Sequence, residues 1–185
     1  MRSRPTVWLA SVATLAYPFL VYAALGRMEP YWLAAMLVVV ALLRAWATGA
    51  VIWLVAAGGA LVLALASFWA GGWVPLKLYP ALVSFIFLAV FAASLVRPPT
   101  VIERIARLTE PDLPSAAVAY TRCVTQVWCS FFVLNGLAAL ATTFWASDEI
   151  WTFYNGFVAY LLMGILFAGE WLVRRHVRAR IAAGA

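Results

Sequence analysis

Apolar runs of about 18 to 23 residues succeed one another along nearly the whole chain, each long enough to cross a hydrocarbon core at 1.5 Å of rise per helical residue. A segment surrounded by lipid must satisfy its own backbone hydrogen bonds, and runs of this length do so as helices. The chain is therefore expected to be all-α: a polytopic transmembrane helix bundle of about six spans, forming one transmembrane domain over residues 1–185. Composition excludes a soluble domain, because 66% of the residues are hydrophobic and only 11% charged, whereas soluble domains carry roughly a quarter of charged residues.

The spans read as Thr6–Leu25, Tyr31–Ala47, Gly49–Trp69, Val74–Leu95, Ala117–Trp145 and Ile150–Val173. The first has Arg2 and Arg4 ahead of it, as a signal peptide would. Its apolar run is longer than a signal core, Pro18 interrupts it, and a second run follows Glu29-Pro30 directly, so it reads as a retained span. Thr48 and Gly49 alone separate the second and third spans, which predicts either a tight helical hairpin or one span that is shallow or tilted.

Basic residues set the orientation. With a cytoplasmic N-terminus, the inner side holds Arg2, Arg4, Arg44, Arg97, Arg104, Arg107, Arg122, Arg174, Arg175, Arg178 and Arg180, and the outer side only Arg27 and Lys77. Eleven of the thirteen basic residues then lie inside, so both termini are expected in the cytoplasm of a bacterial inner membrane. The interhelical loop at about 97–115 and the basic tail at 174–185 share that side. The net charge of +6 is thus topological. A nucleic-acid partner would need a basic face, and these arginines stand singly or at span ends.

The 97–115 loop has structure of its own. Thr100 and Glu103 have capping-box spacing, Val101, Ile105 and Leu108 form an apolar stripe, and Pro111 and Pro114 end the helix. A short amphipathic cytoplasmic helix results, with Arg104 and Arg107 as candidate contacts to anionic headgroups. The alternative is that it packs on the bundle ends.

Ionisable and amide side chains inside spans are functional candidates by default. Lys77, at the outer end of the fourth span, either snorkels or, with Pro80 kinking the helix, meets an acidic headgroup or substrate. Arg44 snorkels from the inner edge. Glu170, a candidate for the polar path or for helix contacts, either pairs with Arg174 one turn on, which offsets the cost of its carboxylate, or stands alone as a proton-relay carboxylate. Asn135 and Asn155 are expected to hydrogen-bond across helices or to line a polar path. Small residues mark close approaches at Asn135, Ala139 and Thr143, at Ala56, Ala60 and Ala64, and at Gly156, Gly164 and Ala168. Trp69, Trp73, Trp145 and Trp151 read as an interfacial belt. Cys123 and Cys129 point apart on one helix and form no disulfide. His176 is the single histidine, so no metal cluster and no cofactor are expected. No nucleophile–base pair or phosphate loop suggests an enzyme.

From Trp73 onward the chain resembles the bacterial intracellular septation protein A family. The resemblance is carried by WVPLKLYP with Lys77, by RPPTVIERI, and by WCSFFVLNGLAALATTFWASDEIW from Trp128 to Trp151. In the last string Trp128, Phe131, Phe132, Gly136, Phe144, Trp145 and Trp151 fall in register with the family pattern. The family asparagine falls at Ala139, with Asn135 one turn earlier; its last-span lysine falls at about Asn155, and the stretch from Arg97 to Trp128 is longer. The first 70 residues match only in hydrophobic pattern.

The resemblance implies a non-enzymatic inner-membrane protein supporting cell-envelope biogenesis or integrity. Its partners would be the lipid bilayer and other inner-membrane envelope or division proteins. The alternative is a carrier or flippase for a lipid-like product, such as an aryl-polyene or fatty-acid-derived molecule, with Lys77, Asn135 and Asn155 along its path. Gene neighbourhood discriminates the two.

Overall fold

A computed structural model describes residues 19, 22–23, 30–48, 51–70 and 73–183, and all regular structure among the described residues is helical. The helices are α1 (Pro30–Thr48), α2 (Val51–Ala70), α3 (Val74–Lys77), α4 (Tyr79–Val96), α5 (Val101–Arg107), α6 (Ser115–Trp145), α7 (Asp148–Phe153) and α8 (Ala159–Ala183). A π-helical turn over Tyr154–Val158 joins α7 to α8. Most of the expected first span lies outside the described residues.

Three helical segments are long and apolar enough to cross a membrane: Val74–Val96, Ser115–Trp145 and Asp148–Arg175. The expected boundaries of these spans are met within a few residues. The protein is thus a helical one with membrane-spanning character. The expected hairpin also forms, α1 packing along α2 on either side of the short connection.

The fourth span is two helices rather than one. Pro80 has no N–H to donate, and its ring crowds the carbonyl four residues back, so the helix is interrupted at Leu78. The Lys77 carbonyl, next to the break, accepts from donors elsewhere in the bundle. Beyond it, α4 packs along α6 as the central helix pair. Gly136 permits the approach, since a Cβ there would stand 3.0 Å from the Phe85 ring.

Two apolar clusters hold the bundle. Near the Leu78 break, Trp151, Leu76, Tyr79 and Ala60 pack together. Trp151 was expected in the interfacial belt and is instead fully buried. The Lys77 carbonyl accepts from its indole Nε1 at 3.2 Å, so the ring can be buried with its polar atom satisfied. Trp73 is half-buried against the same cluster, while Trp69 and Trp145 are exposed as a lipid-facing belt requires. Toward the other end, Phe91, Val124, Trp128 and Phe132 pack in a second cluster, with Phe87 stacked on Phe132 at 5.4 Å.

α5 is capped as its spacing predicts: Thr100 Oγ1 accepts from the Glu103 N–H at 3.2 Å. The Glu103 carboxylate turns instead to Arg107, at 2.8 Å. The face packed on the bundle also differs from expectation. Glu103 and Ala106 are buried, whereas Ile105 and Leu108 of the apolar stripe are exposed, Leu108 at 85%. Ser94 fixes the turn into α5, accepting from the Val101 N–H at 3.1 Å and donating to the Phe91 carbonyl at 2.7 Å.

Candidate functional site

The break at Leu78 and the end of α6 create a polar latch. Lys77 and Asp148 form an ion pair, with the Lys77 Nζ 6.0 Å from the centre of the Trp151 ring. The Lys77 carbonyl accepts from Thr143 Oγ1 at 3.1 Å as well as from the Trp151 indole. Ser147 caps α7 and sets Asp148 at its first residue. Lys77 therefore does not snorkel out of the bundle: it is buried, and its partner is a carboxylate of the same chain.

One helical layer further in, Asn135 is hydrogen-bonded at both its nitrogen and its oxygen. Its Nδ2 donates to Ser84 Oγ at 3.0 Å, and its Oδ1 accepts from the Tyr154 hydroxyl at 3.1 Å. Ser84 passes its own proton to the Pro80 carbonyl at 3.0 Å. The amide thus ties α4, α6 and the π turn together. The stripe of Asn135, Ala139 and Thr143 is buried throughout, as its small-residue spacing implies.

Asn155 is held differently. Its Nδ2 donates to the Trp151 carbonyl at 2.9 Å and to Thr142 Oγ1 at 3.2 Å. The first bond occupies the carbonyl that an α-helix would offer to the Asn155 backbone N–H, and the local ladder relaxes to π spacing, Ala159 N–H bonding to the Tyr154 carbonyl. Thr142 gives its proton to the Ala139 carbonyl at 3.1 Å. Oδ1 of Asn155 is buried and accepts no hydrogen bond from the protein.

Beside this turn lies a cleft of about 330 Å³. Asn135, Asn155 and Ser84 line one end, Phe87, Phe132 and Met163 its middle, and Ile102 and Ile105 of α5 the other end. Lys77 is not part of its lining, so the structure does not bring Lys77, Asn135 and Asn155 into one polar path.

The remaining candidates lie at the end of the bundle that carries α5. Glu170 and Arg174 do not form the expected ion pair; among the described residues the ion pairs are Lys77–Asp148 and Arg107–Glu103. The Glu170 backbone carbonyl accepts from the Tyr120 hydroxyl at 3.3 Å, and Arg175 lies over the Trp171 ring at 4.8 Å. Arg104 Nε donates to the Pro99 carbonyl at 3.0 Å, and Arg107 Nη1 to the Pro111 carbonyl at 2.9 Å. Arg122 reaches the Leu95 carbonyl at 3.1 Å. Both cysteines are free thiols, and no three His, Cys, Asp or Glu side chains gather among the described residues.

Sequence reasoning found the amides and the lysine but missed Ser84, Thr142, Asp148 and Tyr154, which answer them. Only the wet end of a helix after Trp145 hinted at Asp148. Comparison of the chain with family models, curated proteins and solved structures returns no match.

Proposed function

We propose that this protein is a divergent relative of the septation protein A family: a six-span, non-enzymatic protein of the bacterial inner membrane, with both termini cytoplasmic. In this reading it supports envelope biogenesis or integrity through contacts with other inner-membrane envelope or division proteins. The observation that carries it is the small-residue stripe leading into α8. Gly164 has open space where a Cβ would stand and Ala168, one turn on, is exposed, while Gly156 at the other end of the stripe is met by the Phe19 ring. Such a face lets another helix come close, and close packing is what drives helix association in lipid. Lys77 and Asn135, by contrast, spend their polar atoms on bonds within the chain.

Crosslinking in living cells tests the reading. With Cys123 and Cys129 replaced, a Gly164→Cys protein should form a discrete adduct with another membrane protein through a short thiol reagent. Gly164→Leu combined with a neighbouring cysteine at Ala168 should abolish that adduct. Adducts that spread over many abundant membrane proteins and survive Gly164→Leu would sink it.

A further inference from the structure

At successive turns along one side of α8, Ala159, Met163 and Phe167 line the cleft. Helical spacing continues that side through Glu170 and Arg174, three and seven residues past Phe167, beyond the end of the cleft that Ile102 and Ile105 of α5 line. Tyr120 ties Glu170 to this end. Its ring packs against the cluster of Phe91, Trp128 and Phe132, and its hydroxyl donates to the Glu170 carbonyl at 3.3 Å. The mouth of an apolar cleft thus carries one carboxylate and one guanidinium.

These two side chains have the spacing of a helical ion pair and do not form one. Among the described residues neither spends its charge on any other ion pair, and both are only half-buried. Opposite charges one turn apart, both unspent, suit a partner that carries both signs. A bare anion would meet the Glu170 carboxylate, and a bare cation would meet Arg174. A head group with a primary ammonium and a phosphate answers both through charge-assisted hydrogen bonds.

The space leading away from these charges suits the tail of such a molecule. The cleft holds about 330 Å³, near the lower end of the roughly 300 to 1,000 Å³ of ligand pockets. From Tyr79 to Phe91, both in its lining, α4 rises about 18 Å, close to the roughly 15 Å that one leaflet contributes to a hydrocarbon core of about 30 Å. That volume over that length admits one hydrocarbon chain. Ile105 and Phe167 in its lining are more than half exposed, so the chain enters sideways from the surrounding lipid.

We infer that the cleft holds one acyl chain of an aminophospholipid, with the ammonium of the head group on Glu170 and its phosphate on Arg174. The second chain stays outside in the bilayer. Gly164 and Ala168, the surface offered to protein partners, lie about 100° round α8 from this side, so the lipid site does not depend on them.

The test is photolabelling of the purified full-length protein in detergent by a phosphatidylethanolamine with a diazirine in one acyl chain. Adducts should map to residues 79–105 and 128–167, the helices that line the cleft. Unlabelled phosphatidylethanolamine should compete about tenfold better than phosphatidylglycerol of the same chains, which keeps the phosphate and lacks the ammonium. Glu170→Gln should bring the two competitors to parity, and Arg174→Gln should weaken both. Ala159→Phe, which fills the cleft from its wall, should remove the labelling. Equal competition on the wild-type protein, or better competition by phosphatidylglycerol, would overturn the inference, because the site would then read the phosphate alone or no head group. Labelling that Ala159→Phe leaves intact would overturn it too. Should Ala159→Phe fail to fold, the wild-type competition and Glu170→Gln still decide.

Discussion

The amide of Asn135 and the hydroxyl of Tyr154 meet at 3.1 Å across the interface between α6 and the π turn. Asn135 also reaches Ser84 on α4, so one mid-membrane side chain bridges three elements. In lipid an unpaired amide has no water to turn to, and this makes the bridge a determinant of how the elements sit together.

Asn135→Leu should therefore lower stability in detergent by about 0.5 to 2 kcal/mol. Tyr154→Phe should cost less on its own, because it leaves the Ser84 bond in place. The double variant should cost less than the two losses added together, as expected for residues in direct contact. Additive losses in a thermal or denaturant series would mean the two groups do not interact.

The Lys77–Asp148 pair is half in reach of solvent, Asp148 being 43% exposed. Asp148→Asn should cost about 1 to 3 kcal/mol, between the ranges for surface and buried pairs. Lys77→Met should recover part of that loss when added to Asp148→Asn, because it removes the ammonium left without its carboxylate. A double variant less stable than Asp148→Asn alone would contradict this account.

Gly136 allows α4 and α6 to pack at the level of Phe85. Gly136→Ala asks the ring to give by a few tenths of an ångström, and Gly136→Leu asks for a shift of the helices. The leucine variant should lose about 1 to 3 kcal/mol, and the alanine variant distinctly less. Equal effects in a detergent melting series would remove the steric explanation.

Threading can be read by cysteine accessibility in intact cells, with Cys123 and Cys129 replaced. Single cysteines at Ser3 and Ala185 should resist an impermeant reagent while one at Ser147 reacts, as the distribution of basic residues requires. Reaction at either terminus would rule out six spans with both ends inside.

The exposed Leu108 and Ile105 of α5 should rest in the headgroup layer. A fluorophore at Leu108 should shift to a more apolar environment when the protein moves from zwitterionic to anionic vesicles. Arg104→Glu should reduce that shift more than Arg107→Glu, because Arg107 already holds Glu103. Equal signals in both vesicle types would leave the arginines as topology signals only.

Much of the architecture was legible because span length and proline placement are local. Pro111 and Pro114 bound the loop helix, Thr100 caps it, and Pro80 marks the break at Leu78. What stayed hidden depends on partners distant in the chain. Asp148 lies 71 residues from Lys77, and no spacing rule connects them. Trp151 carried the same boundary position as Trp145, yet it is buried with its indole N–H on the distant Lys77 carbonyl, while Trp145 is exposed. The stripe of α5 pointed outward because Arg107 neutralises Glu103 and lets that side of the helix be buried. The π turn was unreadable, since it follows from one amide competing for a carbonyl.

The ion pair at the C-terminal end of α3 also bears on how the chain is made. Lys77 leaves the ribosome well before Asp148 exists, and a nascent chain ending between them holds a membrane lysine with no carboxylate to meet it. Such a chain must keep that residue at the headgroups, with the α3 end of its bundle open. The latch can therefore close only once the chain has been extended past Asp148.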